Sequence, residues 1–169
     1  MKVLLWIMLA SVFSFSAARV PTDQKISSFS HLRNLTPESS EFLHFASGIC
    51  PQFRTTKNAP SSYIRKKNPL PATAKNVKRG KKLYQKEAKP TACKMCHGVR
   101  GNGNGRLARG LEPAPRNFTC EDTMRPLPDG QLFWIIKNGS KGTAMPAHRF
   151  TLSDEDIWRI IYYLKSFAR

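Results

Sequence analysis

Two thiols separated by two residues and followed at once by an imidazole stand at Cys93-Lys94-Met95-Cys96-His97. On one helical turn this spacing lets two sulfurs reach the two vinyl groups of one porphyrin while the adjacent imidazole faces the iron. That is the requirement for covalent haem c attachment through Cys93 and Cys96, with His97 as the proximal iron ligand. Two other chemistries use paired cysteines. A thioredoxin-like dithiol needs a βαβ context, and a zinc site needs a second Cys/His pair at ligand spacing. Neither accompanies this motif.

A low-spin haem needs a sixth ligand, and few residues can supply it. Outside the N-terminal apolar run, the thioethers are Met95, Met124 and Met145, and the remaining imidazoles are His31, His44 and His148. Met95 lies inside the attachment loop, on the wrong side of the ring. Met145 follows His97 by 48 residues, in Gly142-Thr143-Ala144-Met145-Pro146-Ala147-His148. Pro146 forces extended backbone on Met145, and an extended loop can lay a thioether across the distal face. Met145 is therefore the expected distal ligand, with Met124 and His148 as the alternatives. Methionine also fills irregular gaps in cores, which is the competing role for Met145.

Three segments have the pattern of helices that would hold such a site. From Asn76 to Lys89, Val77, Gly80, Leu83 and Tyr84 share one face with basic residues opposite. Asp129 is placed to cap the nearly apolar stretch from Gly130 to Asn138, with Gly139 as its stop. Ser153, followed by Asp154, Glu155 and Asp156, marks the start of a helix whose apolar stripe is Ile157, Ile160, Ile161 and Leu164. Gly101-Asn102-Gly103-Asn104-Gly105 has no strand before it and no Gly-Lys-Ser/Thr after it. It reads as the turn by which the chain leaves the attachment helix and not as a phosphate cradle.

These residues resemble the class I c-type cytochromes, small bacterial monohaem members in particular, over Ala74 to Phe167. The resemblance rests on the attachment motif, the run from Asp129 to Gly139, the Gly-Thr-Ala-Met-Pro-Ala loop and the closing stretch from Leu152 to Trp158, in that order. It implies an all-α cytochrome c fold around one covalent haem. In that family an N-terminal helix crosses a C-terminal helix through a small residue and an aromatic, here matched by Gly80 and Tyr84 against Tyr163 and Leu164. Leu111-Glu112-Pro113-Ala114-Pro115-Arg116-Asn117-Phe118 resembles the segment whose proline carbonyl accepts the Nδ1 hydrogen of the proximal histidine. Pro113 is the first candidate and Pro115 the second. Arg116, Asn117 and Trp134 are candidate partners for the haem propionates.

The 169 residues carry 28 Lys+Arg and 11 Asp+Glu, a formal net charge of +17, with 40% hydrophobic residues. Length excludes a multidomain enzyme, and four Cys are too sparse for a disulfide-dense mini-scaffold. Residues 1–18 combine Lys2, the apolar run from Val3 to Phe15 and Ser16-Ala17-Ala18. They read as an export signal, too short at 13 apolar residues to span a bilayer. The protein is thus expected in the periplasm or an equivalent compartment. Residues 19–70 read as an irregular basic leader with one local helix candidate around Thr36 and Pro37, and residues 71–169 as the cytochrome domain. In an oxidising compartment Cys50 and Cys120 form either a disulfide or two buried thiols.

The expected function is outer-sphere electron transfer, not catalysis. The alternatives are a cytochrome subunit of a larger oxidoreductase, with the leader as docking arm, and a haem enzyme or gas sensor with a labile distal ligand. Lys75, Lys78, Arg79, Lys81, Lys82, Lys86, Lys89 and Lys94 crowd the approach to the motif against the single acid Glu87. Such a field would steer acidic redox partners; the simpler roles are solubility or peripheral attraction to an anionic membrane. Export and the absence of a binding motif disfavour nucleic acid.

Overall fold

The computed structural model describes residues 48–52 and 55–168. All of these belong to the compact unit Leu35–Arg169. The expected signal, the helix at Thr36 and the rest of the leader to residue 47 lie outside the described residues. The elements are α1 (Ser61–Ile64), α2 (Ala74–Lys82) continuing into one π-helical turn (Leu83–Glu87), α3 (Lys94–His97), α4 (Glu121–Met124), α5 (Asp129–Asn138) and α6 (Asp154–Lys165). No strand occurs among the described residues, and the fold is the all-α cytochrome c fold.

The helix α2 begins two residues before the expected Asn76, because the Thr73 hydroxyl accepts from the Asn76 amide and caps it. It crosses α6 at Gly80, where a Cβ would lie 2.0 Å from the Arg159 carbonyl oxygen. Only glycine permits this approach. One turn on, the Tyr84 hydroxyl donates to the Gly98 carbonyl at 2.6 Å and its ring meets Tyr163 edge-on at 5.3 Å. The crossing is thereby tied to the residue that follows His97. Burial pushes the Tyr84 phenol well above its ordinary range, so it remains a donor.

The Ser153 hydroxyl accepts from the Asp156 amide and starts α6 as expected. Ile157, Ile160, Ile161 and Leu164 then bury one stripe among Leu83, Leu132, Phe133 and Ile136. Asp129 departs from expectation. It is the first residue of α5 and makes no cap bond; its carboxylate pairs with Lys165 at 2.7 Å and accepts from the Asn68 amide at 3.3 Å. Attraction to a cation on α6 outweighs local capping here. Gly139 ends α5 at φ +75°, the left-handed backbone that glycine adopts without strain.

The described part of the leader is irregular apart from α1, and it is held to the helices. Tyr63 stacks near Phe133 (6.2 Å), Phe133 stacks on Trp158 (4.2 Å), Asn68 Nδ2 donates to the Trp158 carbonyl at 2.9 Å, and the Tyr162 hydroxyl donates to the Leu70 carbonyl. The buried Gln131 side chain completes the attachment: its oxygen accepts from the Ala59 amide at 2.7 Å and its nitrogen donates to the Lys57 carbonyl at 2.9 Å. A further anchor is covalent, because Cys50 and Cys120 form a disulfide.

Candidate haem site

The motif Cys93-Lys94-Met95-Cys96-His97 forms one helical turn, with the His97 amide bonded to the Cys93 carbonyl at 2.9 Å. Burial pushes the Cys93 thiol up to about 12 and raises the Cys96 thiol as well. A redox dithiol needs the opposite shift, and among the described residues these thiols have no cluster of three or more His, Cys, Asp or Glu around them of the kind a zinc site uses. The glycine loop closes beneath the turn. The Gly103 amide donates to the His97 carbonyl at 2.9 Å and the Gly105 amide to the Cys96 carbonyl at 3.0 Å. A Cβ on Gly105 would lie 2.3 Å from the Met95 carbonyl oxygen, which is why the chain can double back here.

Above this turn lies an apolar pocket that opens to solvent. Cys96, His97, Pro113 and Arg116 line one wall; Leu132, Ile135 and Ile136 of α5 and the loop carrying Met145 line others. A mostly apolar pocket with a few convergent polar groups suits a largely apolar cofactor. The His97 ring stacks on Phe118 at 4.6 Å, and its Nδ1 lies 3.1 Å from the Arg116 carbonyl oxygen. A carbonyl only accepts, so Nδ1 carries the proton and Nε2 is left with the lone pair for a metal. The residues present therefore fit haem c: the Cys96 thiol, an oriented imidazole and the Met145 thioether bound one apolar cavity, and Cys93 begins the same helical turn.

His97 Nδ1 lies against the Arg116 carbonyl, while Pro113 lines the cavity and the Pro115 carbonyl accepts from Gln52 Nε2 at 3.1 Å. The buried Asn117 amide is hydrogen-bonded to backbone and to a neighbouring side chain. Its nitrogen donates to the Gly48 and Ile49 carbonyls, and its oxygen accepts from the Thr119 amide and hydroxyl. Trp134 is not among the cavity-lining residues; the face that α5 presents there is Gln131, Leu132, Ile135 and Ile136. Arg116 does line the cavity, with its guanidinium donating to the Thr56 hydroxyl at 3.0 Å.

Among the candidate distal ligands, Met145 lines the cavity that holds His97. Met124 is packed in the apolar core. His148 is buried with Nδ1 2.7 Å from the Lys89 carbonyl. The Met145 loop is braced by its own backbone: the Ser140 amide donates to the Met145 carbonyl at 3.1 Å and the Met145 amide to the Thr143 hydroxyl at 3.1 Å. Thr56 and Gln131 were not anticipated at the site. A glutamine within an otherwise apolar helical run was the available signal for Gln131; Thr56 had none.

Residues 75–164 match the family model described as cytochrome c oxidase, cbb3-type, subunit III, and the chain belongs to this family. It is a c-type cytochrome, a haem-bearing electron-transfer domain. A chain of the Kuenenia stuttgartiensis reducing HAO-like protein complex is similar in structure, with a TM-score of 0.53 and 25% identity over 69% of this chain. The match spans 53% of that chain. No curated protein matches.

Proposed function

We propose that the protein is an exported monohaem electron carrier, with haem c held by thioether bonds to Cys93 and Cys96 and with His97 and Met145 as axial ligands. The observation that carries this reading is the placement of His97, Cys96 and Met145 on one apolar cavity behind an attachment motif. When bound, haem c supplies a one-electron ferrous/ferric couple. The chain holds and insulates it. The Arg116 carbonyl and the Phe118 ring set the imidazole plane, the hydrogen-bonded Met145 loop sets the thioether, and Leu132, Ile135, Ile136 and Leu164 exclude water. Apolar burial and a thioether ligand both favour a comparatively high potential.

The basic patch supports docking to acidic redox proteins. Arg79 and Lys82 are partly neutralised by Glu87, whose carboxyl they hold below its ordinary range, Lys82 contributing most. Arg79 also pairs with Asp156 at 3.7 Å. Lys75, Lys78, Lys81, Lys86, Lys89 and Lys94 have no ion pair among the described residues, and they form the steering surface. No helix of the described residues is long and apolar enough to cross a membrane. A second reading, a cytochrome subunit of a larger assembly, is supported by the structural similarity to a chain from a multiprotein complex. Mass spectrometry of the purified holoprotein tests attachment and count together. The chain should carry the mass of one haem, retained after acid-acetone extraction and lost in a Cys93→Ser, Cys96→Ser variant. Extractable haem, or a second haem mass, would overturn the reading.

A further inference from the structure

We infer that the strap formed by residues 48–52 and 55–60, through Gln52 above all, is a positioning element for the axial histidine. This rests on His97 being an iron ligand. Arg116, whose carbonyl accepts from His97 Nδ1, is flanked by two residues that Gln52 grips with both ends of its amide. Gln52 Nε2 donates to the Pro115 carbonyl at 3.1 Å and Gln52 Oε1 accepts from the Asn117 amide at 2.7 Å. The Asn117 side chain returns the grip by donating to the Gly48 and Ile49 carbonyls, and Thr56 holds the Arg116 guanidinium. The opposite side of the same segment is fixed by the glycine loop. The Phe118 amide donates to the Gly101 carbonyl at 2.6 Å, and a Cβ on Gly103 would lie 2.6 Å from the Pro115 oxygen.

The peptide that receives the His97 proton is thus clamped between a loop that belongs to the haem turn and a strap that does not. The Cys50–Cys120 disulfide keeps the strap in place, two residues before Gln52 and three after Asn117. A hydrogen bond from Nδ1–H to a fixed carbonyl makes the imidazole a stronger donor and favours ferric iron. A looser carbonyl weakens that preference. Gln52 therefore lowers the potential of the centre without itself lining the cavity.

The test compares three full-length holoproteins with the parent: Gln52→Ala, the pair Cys50→Ser with Cys120→Ser, and Asn68→Ala, which removes a strap-independent anchor of the leader on α6. Gln52→Ala should shift the ferric/ferrous equilibrium threefold to tenfold toward ferrous, tenfold being about 59 mV for one electron. It should also speed hydrogen exchange of the His97 Nδ1 proton, with the axial-ligand absorption unchanged. The serine pair should move both readouts the same way, and Gln52→Ala keeps the test open if that pair fails to fold. Asn68→Ala should lower thermal stability and move neither readout. Unchanged potential and exchange in Gln52→Ala would overturn the inference, as would an equal shift in Asn68→Ala. Failure of the underlying ligand assignment would show separately, as a parent spectrum without histidine ligation.

Discussion

A methyl group on Gly80 would sit 2.0 Å from the Arg159 carbonyl oxygen and 2.6 Å from the carbonyl carbon. Ordinary Cβ contacts are 3.4 Å or longer, so Gly80→Ala requires α2 and α6 to separate by about 1.4 Å, and the obstacle is backbone that cannot rotate away. A gap of half to one ångström already forfeits roughly a quarter to a half of each dispersion contact across an interface. Overpacking of this kind costs about 1–3 kcal/mol, and more when backbone must move. Alanine returns about 1 kcal/mol through its better helix propensity. Because backbone must move, the gross cost here is about 3–4 kcal/mol, so we expect a net loss of about 2–3 kcal/mol and a fall in melting temperature of roughly 10 °C for a domain of this size. The assay is thermal unfolding of the oxidised holoprotein by circular dichroism, with the Soret absorbance confirming that haem is retained. Gly110→Ala, where φ is +75° but nothing lies within 4 Å, should cost only about 1–2 kcal/mol of backbone strain. An unchanged or raised melting temperature in Gly80→Ala would refute the close crossing.

Four further outcomes follow from particular contacts and charges. Burial lowers the His148 pKa from 6.5, with the Lys89 carbonyl opposing, so the unfolded chain binds a proton here at a higher pH than the folded one. Stability should fall as pH drops from about 6.5 toward the folded value and level off below it; His148→Gln should flatten denaturant midpoints between pH 7 and 5.5. Glu87 has the opposite charge type and acts lower: its depressed pKa contributes stability that is present above 4.5 and lost as pH falls through the folded value. Opening the Cys50–Cys120 link, which spans a sequence separation of 70, should cost about 4 kcal/mol by loop entropy, read as a lower denaturant midpoint in the double serine variant; a change under about 1 kcal/mol would mean the unfolded chain is not constrained by it. The rate of electron transfer to an acidic acceptor should fall steeply between 0.01 M and 0.1 M salt, where the Debye length shrinks from about 30 Å to about 10 Å. Lys81→Glu with Lys86→Glu should lower and flatten that dependence; a parent rate already flat in salt would remove the steering claim.

What was legible in the sequence was local. The attachment turn, the Met145 loop and the three long helices each depend on residues within one or two turns of one another, so spacing and capping reveal them. Ser153 is read correctly because its partner, the Asp156 amide, is three residues away. Asp129 is misread because its partners are Lys165 and Asn68, on other elements. The same physics explains the leader. Without a hydrophobic period its residues look unattached, yet Gln52 and Gln131 bind it through hydrogen bonds that span 63 to 74 positions. The contact between His97 Nδ1 and the Arg116 carbonyl was hidden for the same reason, since the segment around Arg116 is held by Gln52 and by the glycine loop, which no local pattern brings together with it.

The most direct test of the central claim is the far-red absorption of the oxidised holoprotein, where thioether-to-ferric-iron charge transfer gives a weak band. The band should be present in the parent and in Met124→Ala, and absent in Met145→Ala with the haem still covalently attached. Its absence from the parent, or its loss in Met124→Ala and survival in Met145→Ala, would contradict the assignment of His97 and Met145 as the axial pair.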